Sequence, residues 1–296
     1  MQMEILKNGG ISVLPKEKSK SFQNSFCCTY RLNSSGLEVD MENIKEFEGK
    51  VVLITGGGKG IGKGIALEFA KKGARVAIGC NQTPGMAQDT LFELQKITDA
   101  ILIQSDIEKP EGCYKLVDET ITRFGKLDIL VNNAALQTNH SFLMSNEEIY
   151  KKLYHINIRA AFLLMQYCHP WLKKSENGRI ILISSIHGKR PTDFDAAYAI
   201  SKGSMEMLCR EAAIEFAADR ITVNIIAPGA VAIEGKSGNQ MPFPKSRKPK
   251  TKIFSRMPLG VGMPADTAYM ACMLAREESS QISGASIRID GCASLL

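Results

Sequence analysis

Between residues 51 and 290 the chain alternates short, continuous apolar runs with longer segments in which apolar residues recur every three or four positions. The runs are VVLIT (51–55), RVAIGC (75–80), AILIQSD (100–106), DILVNNA (128–134), RIILISS (179–185), ITVNIIAP (221–228) and SIRID (286–290). Their brevity and their Val and Ile content predict strands, and the periodic segments predict amphipathic helices. In IGKGIALEFAKKG, for instance, Ile61, Ile65, Ala66, Phe69 and Ala70 fall on one helical face. Strands with no polar side must be covered twice, so the pattern predicts an α/β class domain: a doubly wound parallel sheet with helices on both faces, spanning 45–296.

Residues 1–44 break this rhythm. MEILKNGGISVLP predicts a short hairpin across Asn8 and Gly9, and the Ser-, Asn- and Lys-rich stretch after it predicts loose order. This N-terminal extension is open to three readings: a surface element over a subunit neighbour, an organelle-targeting segment, or sequence upstream of a start at Met41. Its Arg-poor character, with Glu4 and Glu17, fits a transit peptide least.

A hydrophobic content of 44% over 296 residues is ample for a packed core. No apolar run approaches the roughly 18 residues of a membrane span, and no secretory signal opens the chain, so a cytoplasmic protein without membrane contact is expected. Cysteines 27, 28, 80, 113, 168, 209, 272 and 292 are dispersed and, apart from the first two, share no disulfide or zinc spacing; reduced thiols and no metal are expected. The formal charge of +6 gathers partly in 234–256, where seven Lys/Arg face one Glu among Gly, Pro, Ser and Asn. That composition predicts a long mobile loop able to steer an anionic ligand. Without interleaved aromatics it does not suit nucleic acid.

Three junctions carry candidate chemistry. After the first strand comes GGGKGIG (56–62), whose glycines let the backbone turn tightly beside a pyrophosphate while the free N–H groups at the helix start attract its charge. Gly56, Lys59, Gly60, Ile61 and Gly62 are therefore candidate cofactor contacts. At the end of the second strand a carboxylate would grip a ribose 2′-hydroxyl, yet Cys80 and Asn81 stand there. With nothing to repel a 2′-phosphate and Lys59 near enough to meet one, NADP is expected over NAD. Finally, AAYAISKG sets Tyr198 and Lys202 four apart on one helical face, where an ammonium stabilises a phenolate and lowers its pKa. Ser185, ending the fifth strand, is presented at the carboxyl edge of the sheet, where ligands of such folds bind.

In these residues the chain resembles the classical short-chain dehydrogenases/reductases, over about 250 residues from Glu48 onward, which implies the Rossmann fold. TGGGKGIG (55–62) is similar to that family's cofactor loop, Asp106 to its adenine contact, and NNAA (132–135) to an element bordering the cofactor, which implies roles for Asn133 and Ala134. APG (227–229) resembles the turn beside the nicotinamide, so Pro228, Gly229 and Val231 join the expected contacts. Asn157, Ser185, Tyr198 and Lys202 match the catalytic tetrad. The resemblance implies hydride transfer between a nicotinamide and a carbonyl carbon, with Tyr198 as acid or base and Ser185 bonded to the same oxygen. It gives Lys202 a place on the tyrosine and the cofactor ribose, and Asn157 a water leading to solvent.

It also implies a homotetramer or homodimer packed through the helices around Asn157 and Tyr198. Ile233 departs from the pattern, standing where many members have a threonine on the carboxamide, which predicts a cost in cofactor affinity or loop order. The substrate is left between a 3-oxoacyl thioester and a sugar or polyol, with the loop 234–256 expected over the cleft. The alternative to an enzyme is a dinucleotide-binding structural or regulatory protein. His187 is expected as a loop residue, Trp171 as a packing anchor, and Met205, Met207 and Leu208 as core or subunit contacts.

Overall fold

The computed structural model describes residues 45–81, 85–192, 195–233 and 257–295, together with four strands near the N-terminus. Two compact units divide the chain, Met1–Glu46 and Phe47–Leu296. In the first, β1 (Gln2–Ile5) pairs antiparallel with β2 (Ile11–Leu14), with Ile5 opposite Ile11. A second hairpin joins β3 (Tyr30–Asn33) to β4 (Gly36–Val39). YRLN and GLEV have only two residues between them, the spacing of a tight hairpin, and the rest of the stretch expected to be loosely ordered lies outside the described residues.

The larger unit holds a seven-stranded sheet. In chain order its strands are β5 (Val51–Thr55), β6 (Arg75–Cys80), β7 (Ala100–Gln104), β8 (Ile129–Asn132), β9 (Arg179–Ile183), β10 (Thr222–Pro228) and β11 (Ser286–Ile289). They lie in the order β11-β10-β9-β8-β5-β6-β7, and every neighbouring pair is parallel. Continuous burial of β5, β8, β9 and β10 explains their unbroken apolar runs, since side chains on both faces are covered.

Alternate residues feed two cores. On one face α1 (Gly60–Lys71), α2 (Met86–Gln95) and α7 (Pro264–Ala275) close over Val52, Ile54, Val76, Ile78, Val131 and Ile183. On the other, α3 (Pro110–Phe124), α5 (Ala160–Leu172) and α6 (Ala196–Phe216) close over Leu53, Ala77, Leu130, Leu182, Val223 and Ile225. Trp171 packs against this second core, with Lys174 Nζ 4.3 Å from its ring, which agrees with its reading as an anchor. α4 (Glu147–Tyr154) runs into α5 through a π turn, His155–Arg159.

The strand order reverses at β5, whose neighbours are β6 and β8, so the connections leaving β5 and β8 diverge to opposite faces and open a crevice at the carboxyl edge. No helix among the described residues is long and apolar enough to cross a membrane. Among the described residues Cys80, Cys113, Cys168, Cys209, Cys272 and Cys292 form no disulfide. Segment 234–256, the expected cleft loop, lies outside the described residues, but its base is tied: Val231 bridges Gly262, and Ala232 N–H donates to Gly262 O at 2.9 Å.

Candidate active site

The segment after β8 is the frame of the site, and three distant side chains hold it. Thr55 Oγ1, at the end of β5, accepts from Asn133 N and Ala134 N at 3.0 and 2.9 Å, while Asn133 Nδ2 donates to Thr55 O and Gly56 O. Further along, Asn157 grips Leu136 at both ends of its peptide groups, accepting from its N–H at 2.8 Å and donating to its carbonyl at 2.9 Å. Asp195 then accepts from Thr138 N and Asn139 N, both at 2.7 Å.

The glycine loop suits a dinucleotide. A Cβ on Gly62 would stand 2.2 Å from Gly56 O, so only glycine lets the first turn of α1 press against the end of β5. Gly60 has φ +56° and faces the Ile233 side chain, which a Cβ there would meet at 3.2 Å. The first turn of α1 has no acidic residue to offset its positive end, and exposed Lys59 caps it. Ile61 is half-buried and packs inward against the α1 core. Across the crevice Asn81 Nδ2 donates to Asp106 Oδ1 at 3.2 Å, bringing the two expected adenosine-side contacts together. Gly229 N–H donates to Ile289 O at 2.9 Å and anchors the turn that carries Pro228 and Val231.

Ser185, Tyr198 and Lys202 meet at the end of β9, and Asn157, the fourth expected catalytic residue, is joined to Tyr198 through Ser201 Oγ. Ser185 is buried, its Oγ accepts from His187 N at 3.2 Å, and it hydrogen-bonds toward the Tyr198 phenol. His187 itself turns Nδ1 to Arg190 O, which fits a loop role. Lys202 is 1% exposed, and its Nζ donates to Ile183 O at 2.8 Å while lying 5.7 Å from the centroid of the Tyr198 ring. Met205 is buried in the core, and Met207 is exposed.

Two details bear on the expected division of labour. Burial raises the Tyr198 pKa, the Ser185 hydrogen bond opposes that rise, and the Asp195 carboxylate adds to it, so the phenol lies above its ordinary value. Burial pulls Lys202 itself down to about 7, and its Nζ donates to Ile183 O. Asn157 also spends both amide hydrogens, on Leu136 O and on Ser201 Oγ at 2.9 Å, and Ser201 Oγ donates in turn to Tyr198 O. Its side chain has no donor left for a water. The residue sits in a turn where Ala160 N–H reaches back five residues to His155 O.

Asp195 is the functional residue that sequence reasoning missed. It is fully buried, caps α6 by accepting from Tyr198 N at 3.1 Å, and its other contacts reach the segment after β8. An acidic residue before a helix signals a cap, but nothing local signals partners 57 positions away.

Comparison with known proteins agrees with this geometry. The family described as short chain dehydrogenase matches residues 50–240. A hydroxynaphthalene reductase-like protein Arp2 of Metarhizium robertsii is 34% identical over 260 residues, covering 84% of this chain and 97% of that one. Glucose 1-dehydrogenase 2 of Bacillus subtilis is 31% identical, with 83% and 95% covered. Among solved structures, a short chain dehydrogenase from Burkholderia cenocepacia J2315 in complex with NADP is 30% identical, with a TM-score of 0.76 and 84% and 99% of the chains covered. Acetoin dehydrogenase YohF from Salmonella typhimurium is 29% identical, with a TM-score of 0.76 and 83% and 96% covered. With its parallel sheet, glycine turn and Ser-Tyr-Lys cluster, this chain belongs to the classical short-chain dehydrogenase/reductase family of NAD(P)-dependent oxidoreductases.

Proposed function

We propose that the protein interconverts a ketone or aldehyde and an alcohol with NADP(H), using Tyr198 as the acid for reduction and the base for oxidation. The observation that carries this reading is the meeting of Ser185, Tyr198 and Lys202 beside the crevice, with the phenol held protonated by burial. When bound, the nicotinamide supplies or accepts the hydride. Ser185 and Tyr198 hold the reacting oxygen between a hydroxyl and a phenol, and Tyr198 gives that oxygen its proton. As the phenol becomes phenolate, the nearby Lys202 ammonium stabilises the new charge and shares in its reprotonation. A lysine titrating near pH 7 is suited to passing protons at neutral pH.

The lack of an acidic residue in the sequence at Cys80 and Asn81, where β6 ends, and the exposed Lys59 at the start of α1 support NADP as the cofactor, as does the NADP bound by the Burkholderia relative. Gly56, Gly60, Gly62, Asn133, Ala134, Pro228 and Gly229 line its expected course. The names of the relatives support a cyclic or sugar carbonyl, and a 3-oxoacyl thioester stands beside them as a candidate. A homodimer or homotetramer through α4, α5 and α6 is supported by exposed Ile200, Met207 and Ile214, which recur every seven residues along α6, and by exposed Tyr154 and Phe162.

Fluorescence titration with NADPH and with NADH, followed by a panel of acetoacetyl thioesters, cyclic ketones, aldoses and polyols, tests the reading. Tighter NADPH binding and turnover of at least one class are expected. NADH binding as tightly as NADPH would overturn the cofactor choice, and inactivity on the whole panel would overturn the substrate assignment. Light scattering that found monomer alone would remove the assembly.

A further inference from the structure

The π turn between α4 and α5 sends polar side chains to two separate segments at the carboxyl edge of the sheet. Asn157 holds Leu136, in the segment after β8, and Arg159 reaches the turn between β7 and α3, where its Nη2 donates to Glu108 O, 51 positions back. Arg159 is half-buried and its Nε is enclosed, so the stem passes through the protein to reach that oxygen instead of lying over the surface. The hydrogen bond is short and charge-assisted, which is the stronger kind.

Glu108 is held at both of its backbone groups. Its carbonyl accepts from Arg159, and its N–H donates to Asp106 Oδ1 at 3.1 Å. The same carboxylate oxygen accepts from Asn81 Nδ2 at 3.2 Å, and Lys109 N–H donates to Asp106 O at 3.1 Å. The start of α3 leaves no slack: a Cβ on Gly112 would stand 2.0 Å from Asp106 O, and Cys113 Sγ lies 3.5 Å from Ile107 O. Burial pushes the Cys113 thiol up to about 11, Arg159 opposes that rise and Asp106 adds to it, so the guanidinium and the carboxylate both lie near this one sulfur. Asp106 therefore opens a turn that is fixed by α3, by Asn81 and by Arg159.

A carboxylate on a loose turn has many orientations, and its hydrogen bond to a ligand is strong only when its position is set in advance. Of the contacts that set this turn, the one from Arg159 comes from the element that also holds the frame of the reaction centre. We propose that Arg159 is a positioning residue for the adenosine half of the cofactor: it does not touch the dinucleotide, but by holding Glu108 O it fixes the Asp106 carboxylate against which the adenine lies. This inference rests on the NADP(H) reading above and extends it, since one π turn then serves both ends of the bound dinucleotide.

Arg159→Met keeps the stem and removes the guanidinium. The dissociation constant is expected to rise about tenfold for NADPH, and by a similar factor for adenosine 2′,5′-bisphosphate, which carries only the adenosine half, while kcat at saturating NADPH stays within about twofold of wild type. A contact that merely stabilised the fold would not confine the loss to adenosine binding, and its loss would not depend on Asp106. In an Asp106→Ala background, Arg159→Met is therefore expected to weaken bisphosphate binding by less than about twofold further. Urea midpoints check that each variant folds, and Arg159→Gln replaces Arg159→Met if the latter is too unstable to titrate.

Bisphosphate affinity unchanged in Arg159→Met, or the same tenfold loss with and without Asp106, would overturn the proposal. Wild-type protein that binds neither NADPH nor the bisphosphate would remove the cofactor reading and this inference with it. Wild-type binding that Arg159→Met leaves intact would remove the inference alone.

Discussion

After β5 the crevice is lined by backbone, and after β9 it is lined by side chains. The first loop works because Gly56, Gly60 and Gly62 carry nothing: a single methyl at Gly62 would overlap the carbonyl of Gly56. The second works because of what it buries: Lys202 at 1% exposure, with Asn157 and Asp195 fully enclosed, each held by named hydrogen bonds. Binding a dinucleotide needs close approach and free N–H groups, which glycine provides at little cost to the core. Proton transfer needs shifted pKa values, which only buried polar groups provide, and those groups must be satisfied by the surrounding fold.

This contrast can be broken most severely at Asp195. Asp195→Asn turns an amide N–H₂ either toward the N–H donors of Thr138 and Asn139 or toward that of Tyr198, and is expected to cost about 1–3 kcal/mol of stability. Misplacing the start of α6 by an ångström would lower kcat by about 10²-fold. Urea unfolding and steady-state kinetics read both; an unchanged kcat would show that Asp195 does not position Tyr198. On the backbone-lined side, Gly62→Ala is expected to cost about 1–3 kcal/mol by overpacking and to weaken NADPH binding. A thermal midpoint and an NADPH affinity equal to wild type would contradict the steric account.

Lys202 sharpens the other half through pH. Its pKa is about 7 when folded, against an ordinary 10.5, so between those values the unfolded chain holds a proton that the folded chain does not. Stability therefore rises with pH from 7 to about 9 on this group's account, by up to about 1.4 kcal/mol per pH unit. Above that, Cys113 and Cys209, raised by burial to about 11 and about 12, act in the opposite sense. Urea midpoints at pH 7, 8 and 9 should show a shallower rise in Lys202→Met than in wild type, and equal slopes would refute the burial argument. The smallest effect is expected from exposed Lys59: Lys59→Ala should lower the NADPH-to-NADH affinity ratio by no more than about fivefold. An unchanged ratio would remove that residue's support for NADP.

What could be read from the sequence follows the same division. The glycine loop and the Tyr198–Lys202 pair are local patterns, visible without knowing the fold. The strands were legible too, but the expected runs ending at Asp106, Ala134 and Ser185 continue past the ladders, which stop at Gln104, Asn132 and Ile183. Each overshoot lies at the carboxyl edge, where residues leave the sheet to face the crevice. The contacts of Asp195 and the clamp on Leu136 were not legible, because they join residues 57 and 21 positions apart. The direction of the Tyr198 shift was not legible for a related reason. Spacing brings Lys202 near, but burial decides which form of each group is favoured.

The central claim, that Tyr198 carries the proton while the glycine loop carries the cofactor, is tested most directly by Tyr198→Phe. NADPH affinity is measured by fluorescence titration, and turnover by NADPH oxidation on the best compound of the panel. The account predicts affinity within about twofold of wild type and a rate lower by about 10²–10⁴-fold. A variant that oxidises NADPH at the wild-type rate would contradict it.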